Sequence, residues 1–256
     1  MAAIVCAVCW HWRDKATRLW QQTRTAVASP AGITPQPDPA RYATLKEEAE
    51  RWRTDLAGRY AKARTPAEKD KVLAETRNFL ETLLPEMMLC WLGTPWNFHG
   101  TAEGPGQGNI ACGYFVSTVL KDAGFRVDRY KLAQQASQNI LRSFLPRESL
   151  DLQVGVSYDN YATGLNKAEH GVRIVGLDSH VAFLVTGPEG FRFIHSSGSK
   201  PWCVVNEDQA GAEVLRRSNY RVQGLLTGDK EVLRRWLGGK KIGVKGDGPA
   251  TAAAGR

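Results

Sequence analysis

The hydrophobic period of this chain changes once, and that change limits what the chain can fold into. Up to about Leu145 apolar residues recur at three- and four-residue spacing, as in the stripe Val72, Leu73, Phe79, Leu80, Leu83 and Leu84, which marks amphipathic helices packed on a core. Beyond Glu169 the runs VRIVGL, HVAFLVTG, FRFIHS and WCVV follow at close spacing, with Gly-Pro-Glu-Gly between the second and third. They read as strands, the middle pair joined as a hairpin. Helices first and strands afterwards predict an α+β domain with an antiparallel sheet.

Punctuation residues divide the chain. Residues 1–28 form an N-terminal helical segment carrying Trp10, Trp12 and Trp20, or the remnant of a targeting sequence. Residues 29–40 contain four prolines and read as a linker. A helical region spans 41–84, in which Thr65, Pro66 and Glu68 supply an N-cap, a first-turn proline and a capping-box glutamate. This region is open to three readings: a cover, an oligomerisation surface or part of the core. Pro85 is expected to interrupt it, and the main domain then runs over 85–238. Within that domain KLAQQASQNILRSFL predicts one helix ending at Pro146, and residues 147–169 predict an irregular loop over the site. DKEVLRRWL predicts a last helix capped by Asp229 and stopped at Gly238-Gly239. Residues 239–256 are expected to be a disordered basic tail.

Net charge and cysteine usage exclude some classes. The formal charge of +8 suits an anionic partner such as a wall polymer, but no nucleic-acid motif accompanies it, so nucleic acid is not expected. No run approaches the ~20 apolar residues of a transmembrane helix. The five cysteines, Cys6, Cys9, Cys90, Cys112 and Cys203, are odd in number and scattered, which excludes a disulfide framework. Cys6 and Cys9 lack the second pair a structural zinc site needs, and no metal or cofactor is expected.

Chemistry concentrates at residues 100–125, where a glycine-rich loop runs into Cys112 and then into a helical pattern through Phe115, Val116, Val119 and Leu120, with Gly124 as the stop. A thiol at a helix start lies near unpaired N–H groups, which favour thiolate and can receive an oxyanion. Two of the five histidines fall in adjacent strands. A turn flanked by Gly187 and Gly190 pairs residues whose numbers sum to 377, which sets His195 opposite Ala182 and diagonal to His180 on one face. A cysteine nucleophile needs a base, and the base needs a partner that fixes its tautomer. Cys112, His180 and His195 fit those roles, with Asp178 as the alternative third member. Gln107 is a candidate oxyanion donor.

GTPWNFHG, ACGYFVSTVLKDAGF, DSHVAFLV and FIHSSG, in that order, resemble the NlpC-type cysteine peptidases over about residues 90–200. The resemblance implies a papain-like fold, here preceded by extra helices, and cleavage of an amide bond, typically in peptidoglycan stem peptides. It implies Cys112 as nucleophile, His180 as base and His195 as the orienting residue. Trp96 stands where the family carries a tyrosine that frames the site. Ala111, Gly113 and Tyr114 replace the usual aspartate, serine and glycine around the cysteine. Gln107, Trp96, Gly113 and Asp178 are thus the candidates for oxyanion or substrate binding. The resemblance also implies an envelope or secreted location. Two other functions fit the same residues: an acyltransferase or transglutaminase-like enzyme, and an envelope-binding protein whose site has lapsed.

Overall fold

The computed structural model describes residues 35–246; the segment 1–28, residues 29–34 of the linker and the tail beyond Gly246 lie outside the described residues. Helix α1 (Pro39–Lys62) starts where the Asp38 carboxylate accepts the Arg41 N–H, and it buries Tyr42, Leu45, Ala49 and Leu56. Helix α2 (Pro66–Leu89) begins with the expected capping box between Thr65 and Glu68. It does not stop at Pro85 but runs through it. A proline removes one bond from the helical ladder, and burial of Leu83, Leu84, Pro85, Met87 and Met88 around it outweighs that loss.

Among the described residues six strands form one sheet, β1 (Asp151–Val154), β2 (Gly171–Leu177), β3 (Val181–Gly187), β4 (Gly190–Ser196), β5 (Val204–Glu207) and β6 (Tyr220–Leu225), in the order β1-β6-β2-β3-β4-β5. Every neighbouring pair is antiparallel, so the chain is α+β. The hairpin β3–β4 has the anticipated register, Gly187 opposite Gly190 and Phe183 opposite Ile194. Strands β1 and β6 carry no clear sequence signal. The stretch 147–169 is no loop over the site: it contains a 3-10 turn (Arg147–Ser149), β1 and helix α6 (Tyr158–Lys167).

Both faces of the sheet are covered, which is why β2 and β3 are buried along their whole length. On one face Val172, Ile174, Val181, Phe183, Val185 and Ile194 join a core with α1, α2, α3 (Cys112–Asp122), α4 (Arg129–Ala133), α5 (Ser137–Phe144) and α8 (Lys230–Leu237). On the other face Val175, Leu177, Ala182, Leu184, Phe191 and Phe193 pack against α6 and α7 (Glu213–Arg217). Arg221 of β6, only 1% exposed, ties that second layer down by donating to the carbonyls of Leu215, Arg216 and Val156.

The proposed boundary between 41–84 and 85–238 does not divide the core. Edge-on ring contacts run from Tyr42 to Trp91 (5.5 Å), to Phe115 (6.0 Å) and to Phe183 (5.9 Å), from the first helix to the centre of the sheet. The segment after α8 also differs from a loose tail as far as Gly246. Ile242 is buried, its N–H donates to the Arg126 carbonyl, and the Lys245 N–H donates to Ser143 Oγ.

Candidate functional site

The glycine-rich loop is held to the sheet before it reaches Cys112. The Gly93 N–H donates to Val204 O, Val204 N–H to Thr94 O and Trp96 N–H to Trp202 O, so residues 93–96 run beside the start of β5. The Ala111 N–H then donates to Gly100 O, and Ser196 Oγ–H donates to Ile110 O at 2.7 Å. The last bond joins the end of β4 to the residue two before Cys112. Arg129 is buried and clamps the other side: Nε donates to Thr118 Oγ1 on α3, and Nη2 donates to the carbonyls of Thr101 and Ala102.

Cys112 is the first residue of α3, whose N-cap, Ala111, offers no side-chain hydrogen bond. The first-turn amides therefore have no capping side chain to occupy them. Burial nevertheless pushes the thiol above its ordinary value, and the N–H groups of Val181, Gly113 and Cys112 offset only part of that. The expected preference for thiolate is thus reversed: removing sulfur from water costs more than the helix start returns. Gly113 is required by close packing, because a Cβ there would stand 2.4 Å from Ala133 O. That approach brings the chain between α4 and α5, where one continuous helix was expected, up to the thiol. Gln134 and Gln135 of this break line the cleft.

His180 leaves the tight β2–β3 turn, in which the Leu177 N–H donates to His180 O. Its Nε2 lies 2.9 Å from His195 Nδ1, and His195 Nε2 lies 3.1 Å from Glu207 Oε2. His195 is fully buried, with its ring 4.2 Å from that of Phe193. Burial holds His195 down to about 3, and burial followed by the neighbouring His195 holds His180 well below its ordinary value. Burial also raises Glu207 to about 7, against the opposing pull of Arg192. Both rings are therefore neutral near pH 7. With Nε2 engaged by His195, Nδ1 is the ring nitrogen of His180 left to serve the cleft.

The cleft consists of two adjoining hollows of about 620 Å³ each, and Cys112, Gly113 and His180 line both. One, the more polar of the two, is lined in part by Ser137, Gln138, Asp178 and Tyr220; the other is walled by Trp96, Phe98 and Tyr114. Trp96 leans on Trp202 with ring centroids 5.5 Å apart, and Phe98 at the rim is 74% exposed. Among the described residues no lysine or arginine lines either hollow, so the basic surplus of this part of the chain is not directed at the cleft.

The structure brings together Cys112, His180, His195, Gly113 and Trp96. Asp178 lies at the edge of the more polar hollow, but its carboxylate accepts from Ser218 Oγ–H and from the Asn219 and Tyr220 N–H groups. His195 holds the place beside His180. Gln107 lines a separate surface hollow with His99 and Asn109 and folds back on Gly104, away from the thiol. Glu207 was missed; the sequence signal available was an acidic residue two positions beyond WCVV, on the strand paired with β4. Among the described residues, no group of three or more His, Cys, Asp or Glu is arranged to hold a metal ion, and no helix is long and apolar enough to cross a membrane. Comparison with protein-family models, curated proteins and solved structures returned no match.

Proposed function

We propose that this chain is a cysteine hydrolase with a papain-like, NlpC-type catalytic arrangement that cleaves an amide bond of a peptide. One observation carries the reading: a thiol at an uncapped helix start shares a cleft with a histidine whose far nitrogen is hydrogen-bonded to a second histidine at 2.9 Å. The Cys112 sulfur attacks the carbonyl carbon while its proton passes to His180 Nδ1, and the Cys112 N–H receives the oxyanion. His180 then returns the proton to the leaving amine. Water cleaves the thioester, with His180 taking its proton and the thiol re-forming. The aromatic hollow suits a large apolar group on one side of the bond, and peptidoglycan stem peptides are the first substrate to test.

Purified peptidoglycan digested by wild type and Cys112→Ala and read by mass spectrometry tests this. The wild type is expected to release stem-peptide fragments, and the alanine variant to lose at least about a thousandfold in rate while keeping its circular dichroism. An alanine variant digesting at the wild-type rate would reject the reading. Product trapping only when an amine is added would move the chain to acyl transfer. A thiol-reactive peptide amide is expected to label Cys112 before the buried Cys90, whose thiol burial pushes up to about 12, and before the buried Cys203. Equal labelling of these three would favour a lapsed binding protein.

A further inference from the structure

We propose that Glu207 is a positioning residue whose protonation selects the tautomers of His195 and His180, and so decides whether His180 shows the cleft a lone pair or an N–H. The inference deepens the hydrolase reading and rests on it for any effect on rate. The tautomer selection itself does not need that reading to hold.

Each contact in the series His180 Nε2···His195 Nδ1 and His195 Nε2···Glu207 Oε2 holds one proton, and a neutral imidazole carries a proton on one nitrogen only. When Glu207 is a carboxylate it can only accept, so His195 carries its proton on Nε2 and accepts at Nδ1. His180 must then donate from Nε2, which leaves Nδ1 bare to take the thiol proton. When Glu207 is a carboxylic acid, its O–H is a stronger donor than its carbonyl is an acceptor, and it donates to His195 Nε2. His195 then donates from Nδ1, His180 accepts at Nε2, and His180 Nδ1 carries the hydrogen. In that state His180 cannot act as base.

The surroundings allow this switch near neutrality. The His195 side chain is 0% exposed and the Glu207 side chain 23%, while His180 lines the open cleft. A proton added at His180 Nδ1 moves each bridging hydrogen one place toward Glu207, so the series titrates without solvent reaching His195. The charged groups acting on Glu207 are Arg192 on the neighbouring strand, Glu213 on α7 and the adjacent Asp208. The Arg192 guanidinium is committed to Asn206, donating to its side-chain and backbone oxygens. The Glu207 carboxyl therefore lies at about 7, while both imidazoles stay neutral.

The test uses the full chain as Cys112→Ala, labelled with 15N at histidine, with and without Glu207→Gln. Imidazole nitrogen shifts are followed from about pH 5 to about pH 9, which brackets the titration. With Glu207 present, His180 and His195 are expected to exchange tautomers together, with one midpoint near 7. The Glu207→Gln substitution leaves an amide that does not titrate, so the pH-dependent exchange disappears. A single tautomer throughout in the Glu207 form overturns the proposal, as does an exchange that persists in the Glu207→Gln variant. In the enzyme with its thiol, kcat/KM is expected to fall about tenfold per pH unit below that midpoint, and to be flat there in Glu207→Gln. The same acid limb in both proteins overturns the link to rate. Absence of all hydrolysis alongside the tautomer exchange rejects the hydrolase reading and leaves the Glu207 assignment standing.

Discussion

Burial acts on the ionisable residues of the series in opposite directions, and their effects on stability therefore have opposite signs. His195 and His180 are held below their unfolded values, so the stability they allow is complete above about 6.5 and is lost as pH falls. Glu207 is raised to about 7, so its contribution is complete below the ordinary glutamate range and is lost as pH rises through 7. Between about pH 7 and 4.5, acidification weakens the fold through the histidines and strengthens it through the glutamate. Glu207→Gln removes only the second effect. In urea titrations, wild type is expected to gain stability relative to Glu207→Gln by up to about 1.4 kcal/mol per pH unit on going from 7 to 5. A constant difference across that range would mean that Glu207 does not titrate there. The histidines were legible in the sequence because a short glycine-flanked turn fixes the β3–β4 register. Glu207 was not, because the connection from Ser197 to Cys203 follows no turn rule that fixes the β4–β5 register, and Gln107 misled because its side chain turns back on its own loop.

Among the elements, those with local signals came out as read. The capping box of α2, the Asp229 cap of α8 and the Gly124 stop after α3 are all present, since each depends on residues within one turn. Errors arose where tertiary packing overrode a local rule, as at Pro85, whose ring is buried, and in the break at residues 134–136. That break owes its position to the close approach of Ala133 O to Gly113. Gly113→Ala introduces a Cβ facing backbone, which cannot swing aside as a side chain would. It is expected to cost about 1–3 kcal/mol and to displace Gln134 and Gln135 from the cleft. Denaturation together with the alkylation rate of Cys112 checks this. An unchanged rate with unchanged stability would show that α4 yields freely and that the glycine is not needed.

At the scale of the whole molecule, helices far apart in sequence close one core, and the chain after α8 helps to seal it. Composition alone suggested a free basic tail, because KKIGVKG has too few apolar residues to predict docking. One of them is nonetheless placed: Ile242 is 2% exposed beside Val127, and its N–H completes the pairing of Arg126. Ile242→Ala leaves every charge and backbone donor in place and removes only buried methyl and methylene groups. The expected cost is about 2–4 kcal/mol, a fall in Tm of several degrees for a chain of this size. A free tail would tolerate the change within about 0.5 kcal/mol, as surface positions do. Thermal melts of the two proteins therefore decide whether residues 240–246 belong to the fold. Because Ile242 docks beyond the far end of α3 from Cys112, the melt is expected to shift without a change in the alkylation rate of that thiol.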